Sequence, residues 1–182
     1  GNTRNYGADV TLEHYMSRGF YGQVNGSLFK AEYRGLDKKW RNQMYDRGYM
    51  LKVLGGKEWM LGKRKQNVFN VSVKYTLQGG LRHTPIDVAA MKANVAAGII
   101  NDQPIYKEDE AMSLQFSPTS LLDLTVSYKI NCKKVSHTIA FEGVNILQHE
   151  TPYAERYDFG TGELRIDKSG ISLPNVFYRI DF

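Results

Sequence analysis

The chain has 182 residues, a formal net charge of +5 and one cysteine. That length supports one domain with a real core, and Cys132 can form no internal disulfide and has no Cys-x-x-Cys partner. Mean hydropathy is −0.45, and no apolar run approaches the ~18 residues of a transmembrane helix; this excludes a helical membrane protein but not a membrane barrel, whose alternating strands average out as soluble. Aromatic content is high, with 12 Tyr, 8 Phe and 2 Trp, and Tyr suits boundaries where one end of the ring is wet. The basic residues are scattered. Their tightest clusters, Lys63-Arg64-Lys65 and Lys133-Lys134, fall in short turns and read as solvated charge, so no nucleic-acid partner is expected.

Gly1-Asn2-Thr3-Arg4-Asn5 has no apolar segment of the signal-peptide kind. The sequence reads as starting at the edge of a strand, and Gly1 is expected not to be the native start. From there the dominant signal has period two. Strands are expected near residues 6–16, 19–33, 47–60, 67–80, 119–131, 136–147 and 175–182. In 68–78, Phe69, Val71, Val73, Tyr75 and Leu77 oppose Asn70, Ser72, Lys74, Thr76 and Gln78. In 121–130, Leu122, Leu124, Val126, Tyr128 and Ile130 oppose Asp123, Thr125, Ser127 and Lys129. The last segment places Val176, Tyr178, Ile180 and Phe182 on one side and Phe177, Arg179 and Asp181 on the other. Such alternation marks strands with one apolar and one polar face. Most exceed the ~5–6 residues usual in soluble proteins and match the ~9–11 of a membrane-spanning strand.

Short and long connections alternate. Ser17-Arg18-Gly19, Gly62 to Gln66 and Asn131 to Val135 are short; roughly 34–46, 81–118 and 148–174 are long. Loops above ~12–15 residues are uncommon in compact soluble domains, whereas a transmembrane barrel has short periplasmic turns and long extracellular loops. The expected fold class is therefore all-β: an antiparallel up-and-down transmembrane barrel segment of about seven strands, its C-terminus at the periplasmic side. Within 81–118, Thr84-Pro85-Ile86-Asp87 reads as a helix start, with Thr84 as N-cap and Pro85 at the first position. Val88, Met91 and Val95 follow at helical spacing, and Gly98 ends the pattern. A soluble β-sandwich binding module and a small structural outer-membrane barrel are the rival readings.

No catalytic or metal constellation is found, so neither an enzyme nor a cofactor is expected. Gly55-Gly56-Lys57 is followed by Glu58 and lacks the P-loop glycine at Leu51. His14, His83, His137 and His149 lack metal-ligand spacing. Ser136 and His137 are strand neighbours whose side chains point to opposite faces. Glu108-Asp109-Glu110 could touch a cation at the cell surface, with a solvated acidic loop as the default reading. In the first long loop, Trp40, Arg41, Tyr45 and Arg47 combine stacking surfaces with guanidinium groups suited to a sugar or an anionic chelate. The same residues would serve equally as an aromatic girdle with Arg reaching headgroups.

An ordered set of segments carries a family likeness. Tyr33-Arg34-Gly35 and Trp40-Arg41-Asn42 lie in the first long loop. Leu54-Gly55-Gly56-Lys57-Glu58-Trp59 and Gly79-Gly80-Leu81-Arg82-His83-Thr84-Pro85-Ile86-Asp87 follow. Leu122-Asp123-Leu124, Tyr128-Lys129, Ser136-His137-Thr138-Ile139-Ala140, Val144-Asn145 and a terminal strand ending in Phe182 complete it. In order and spacing the chain resembles the C-terminal barrel segment of TonB-dependent outer-membrane receptors, particularly those of Bacteroidetes-type bacteria. Tyr178, Ile180 and Phe182 fit that family's barrel assembly signal; Phe177 stands where a glycine is frequent. The resemblance implies active uptake of a nutrient (siderophore, haem, vitamin, glycan or peptide) across the Gram-negative outer membrane. It implies as partners the remaining barrel strands and plug, the TonB complex, outer-membrane lipid and the barrel assembly machinery. The chain is expected to be roughly the last third of such a barrel, with plug and earlier strands absent.

Overall fold

A computed structural model of the chain describes residues 1–99 and 103–182. The protein is all-β and antiparallel. Its main sheet is built from seven long strands: β1 (Asn2–Ser17), β2 (Phe20–Arg34), β4 (Tyr49–Leu61), β5 (Asn67–Gln78), β8 (Thr119–Asn131), β9 (Ser136–Val144) and β12 (Leu173–Asp181). They are paired in chain order, and the short β3 (Trp40–Asn42) adds to β2 as an eighth strand. The sheet is open, with β1 and β12 as its edges. The long connections are not structureless. They contain β6 (Arg82–His83) paired with β7 (Leu114–Gln115), the hairpin β10 (Thr151–Asp158) with β11 (Glu163–Ser169), and the helix α1 (Val88–Ala96). Strands are thus more numerous than the seven long period-two segments, because these pieces are short, and β10 is mixed in polarity.

Neighbouring long strands run in opposite directions, so successive connections lie at opposite ends of the sheet. The turns 18–19, 62–66 and 132–135 share one end; 35–48, 79–118 and 145–172 share the other. The tightest turn is Arg18-Gly19, closing the pair Ser17 and Phe20. Both turn residues have positive φ (52° and 82°), the primed geometry whose twist matches that of the flanking strands and which favours glycine. α1 starts one turn later than the Thr84-Pro85 pattern predicts. Asp87 is the N-cap, its side chain accepting from the Ala90 N–H at 3.0 Å. Thr84 is engaged elsewhere, its hydroxyl accepting from the Met112 N–H.

The register aligns the apolar sets of all seven strands on one face. Leu12, Val24, Val53, Tyr75 and Leu122 form one cross-strand row. Nearer the short turns, Trp59, Phe69, Tyr128, Ile139 and Tyr178 form another. The opposite face carries Thr11 bonded to Asn25 (2.9 Å), Gln23 to Glu13 (3.0 Å), Tyr21 to Asn70 (3.1 Å) and the ion pair Lys74–Asp123 (2.8 Å). Gly56 gives the Tyr21 ring room there: a Cβ would meet the ring's hydroxyl end, which lies across it.

The apolar face of the sheet is left uncovered. On the apolar face Val10 is 61 %, Leu28 67 % and Val176 69 % exposed. On the polar face Thr76, Thr138 and Ala140 are buried. The hydrophobic cluster lies instead among the long connections, where Ile86, Met91 and Tyr157 pack with Val88 and Ile105.

Candidate functional site

The long connections are tied together by a buried acid. Asp46 is fully buried; its Oδ1 accepts from the Ala31 N–H (2.9 Å) and its Oδ2 pairs with Lys30 Nζ (2.9 Å). Arg82 reaches it from the second connection, donating Nε–H to the Asp46 carbonyl (3.2 Å) with Nη2 at 3.7 Å from Oδ2. A buried carboxylate is tolerated only when its lone pairs are met in this way. The backbones of the first two connections also join directly: the Arg82 N–H donates to the Met44 carbonyl, and the Asn42 side chain to the Met112 carbonyl. A second polar clamp holds the third connection. The Asn145 side chain accepts from the His149 N–H (3.0 Å) and donates to the His149 carbonyl, while Asp123 accepts from the Asn145 N–H (2.9 Å).

These clamps leave a cavity of about 310 Å³ between the three connections. Its aromatic walls are Tyr106, Phe116, Tyr153 and the His83 ring. His83 stacks on Phe116 with centroids 3.9 Å apart and planes 9° from parallel. Met44 and Met112 add polarisable apolar surface, and Glu108 and Glu155 the carboxylates. Glu155 is fixed by the Ile86 N–H on Oε2 (3.2 Å), and its Oε1 lies 3.9 Å from His83 Nε2. His83 Nδ1 is buried and unpartnered. Burial, opposed more weakly by Glu155, lowers the His83 pKa below its ordinary value, so the imidazole is neutral at pH 7. A concave, mostly apolar site with a few convergent polar groups is the usual form of a small-ligand site. Among the described residues no group of side chains could hold a metal ion.

The loop residues expected to contact substrate are placed otherwise than around this cavity. Trp40 lies on β3, with the Arg4 guanidinium 4.3 Å above its ring and Arg34 at 5.8 Å. Arg41 makes a two-pronged bond to Asp37 (3.0 and 2.6 Å), which draws the Asp37 pKa down to about 2. Arg47 donates to the Gly79 carbonyl at 2.8 Å and is half-buried, which lowers its pKa. Tyr45 is 68 % exposed. Arg41 and Arg47 are thus engaged within the loops, and only Tyr45 is freely presented. Tyr178 and Ile180 share the apolar face of β12, and Phe182 follows it, almost fully exposed. Of the cavity residues, Leu81, Arg82, His83 and Thr84 fall in a segment singled out in the sequence. Phe116, Tyr153 and Glu155 carried no signal, because they meet only through the loop fold.

The chain matches no family model, no curated protein sequence and no solved structure.

Proposed function

We propose that the chain is a stretch of the wall of an outer-membrane β-barrel receptor that takes up a nutrient in TonB-dependent fashion, its long connections facing outside the cell. The observation that carries the barrel reading is the exposed apolar face. From Leu122 to Ile130, β8 presents half-buried apolar side chains over about 26 Å of strand length, which at the usual tilt of about 35–45° spans about 18–22 Å of the ~25 Å apolar band of such barrels. The row Trp59, Phe69, Tyr128, Ile139 and Tyr178 borders the short-turn end as an aromatic girdle does, with polar tips tied down: Asn67 donates to the Tyr128 hydroxyl (3.2 Å), and the Tyr178 hydroxyl meets His137 Nδ1 (2.7 Å). Lys57 lies over the Phe20 ring at 4.2 Å and beside Trp59 at 5.1 Å, suiting an amine that reaches from apolar surface toward headgroups. The polar opposite face suits a wet lumen, and the edges β1 and β12 call for further strands. TonB-dependent uptake rests on the family resemblance of the loop and strand motifs.

Topology is testable in cells with a membrane-impermeant maleimide. Cys132 is exposed in a short turn and Tyr45 in a long loop. In a Cys132→Ser background, Tyr45→Cys is expected to label on intact cells, whereas the native Cys132 labels only after the outer membrane is permeabilised. Equal labelling of both on intact cells overturns the proposal.

A further inference from the structure

We infer that the cavity between the long connections receives the basic head of a cationic ligand, a primary amine or guanidinium such as a lysine or arginine side chain of a short peptide. This narrows the substrate class within the uptake reading, on which it rests. The charges of the cavity walls are one-sided. Glu108 and Glu155 line it; Glu155 has no lysine or arginine partner among the described residues, and Glu108 feels only the more distant charge of Arg41, whose hydrogen bonds go to Asp37. The single lining arginine, Arg82, is turned to the buried Asp46. The nearby Arg41 and Arg47 are held by Asp37 and the Gly79 carbonyl. An arriving anion therefore meets two carboxylates and no free guanidinium.

A cation meets the opposite. Glu155 is pre-aimed, because one oxygen is held by the Ile86 N–H and the other is left toward His83. The neutral imidazole does not cancel its charge. Tyr106 and Tyr153 are 43 % and 51 % exposed, and such rings attract ammonium or guanidinium groups. The two methionines suit an alkyl stem. A volume of about 310 Å³ lies at the small end of ligand sites, a fit for one side chain rather than a bulky chelate.

The test uses the full-length protein in detergent micelles and calorimetric titration with three N-acetylated tripeptides: Lys-Leu-Lys, the same peptide with both Nε acetylated, and Glu-Leu-Glu. Lys-Leu-Lys is expected to bind at least about tenfold tighter than either of the others, the scale of one charge-assisted hydrogen bond. Glu108→Gln and Glu155→Gln are each expected to weaken it about tenfold; glutamine at 155 still accepts from the Ile86 N–H. Glu108 is exposed on a loop turn, so that variant carries the test even if Glu155→Gln misfolds. Equal binding of the three peptides, no binding at all, or unchanged affinity in Glu108→Gln overturns the inference. The need for detergent is read separately. A protein dispersed without detergent that still prefers the lysine peptide overturns the membrane reading alone; a micelle-bound protein without that preference overturns the cationic-ligand inference alone.

Discussion

The main sheet and the loop assembly solve opposite problems with the same chain. The sheet satisfies its backbone through long antiparallel ladders yet leaves its apolar face uncovered, while its buried side chains are mostly small and polar. The loop assembly has short ladders but a conventional interior: Ile86, Met91, Phe116 and Tyr157 are buried, and Asp46 is fully enclosed and bonded. A ladder can be specified by register alone when the surroundings supply the apolar solvent. Loops that project into water must build their own core and polar clamps. On the proposed barrel reading the two regions therefore sit in separate environments, which perturbing each in turn can test.

The largest effect is expected at the Asp46 clamp. Asp46→Ala leaves the Ala31 N–H without its acceptor and removes the buried counter-charge of Lys30 and Arg82, Lys30 keeping only Asn42 Oδ1, a loss of about 3–5 kcal/mol. Hydrogen exchange should show it in the first two connections and at Ala31 near the end of β2, with the other sheet amides still protected; uniform loss across the sheet would mean the regions are not separable. Next comes the apolar band. Val73→Arg is expected to cost about 2–4 kcal/mol in a bilayer, while Thr125→Arg on the polar face costs little. In water an exposed valine changed to arginine shifts stability by about 0.5 kcal/mol or less, so reversible unfolding of both variants in lipid vesicles separates the two environments.

Smaller effects probe how each region is fitted. Gly56→Ala drives a methyl group into the Tyr21 ring, with an expected cost of about 1–3 kcal/mol, and Tyr21→Ala in the same chain should recover most of it. The smallest concerns pH. Burial lowers the folded-state pKa of His83 below its unfolded value near 6.5, so the unfolded chain binds the proton more readily. Its contribution to stability is present above pH 6.5 and is lost as pH falls below it. A denaturation series from pH 7.5 to 5 should show weakening of the loop assembly that His83→Phe removes. Asp37 acts in a different window: its pKa near 2 makes the Arg41 contact persist until the solution is strongly acidic.

How much was legible in advance follows from the range of each interaction. Alternation located the long strands because the period of two is a local property of the pleat. It missed β3, β6, β7, β10 and β11, since strands of two or three residues show no period, β10 mixes charged and apolar positions, and the alternation of β11 (Glu163, Arg165 and Asp167 against Leu164 and Ile166) covers only five residues. The α1 spacing of Val88 and Met91 was readable, but the N-cap was not. Thr84 and Asp87 are both competent, and the choice depended on Thr84 being taken by the Met112 amide. Trp40, Arg41 and Arg47 were legible as an aromatic and basic cluster; that Asp37 and Gly79 engage the two arginines was not.

By itself, then, the sequence determined an antiparallel sheet with one apolar and one polar face, and connections that alternate in length. Those properties are encoded in near neighbours. Only the tertiary structure decided that the apolar face stays uncovered, that Asp46 joins the first two long connections, and that Glu155 from the third comes within 3.9 Å of His83 in the second. Each of these depends on residues far apart in the chain, whose meeting is set by packing and hydrogen bonding rather than by spacing.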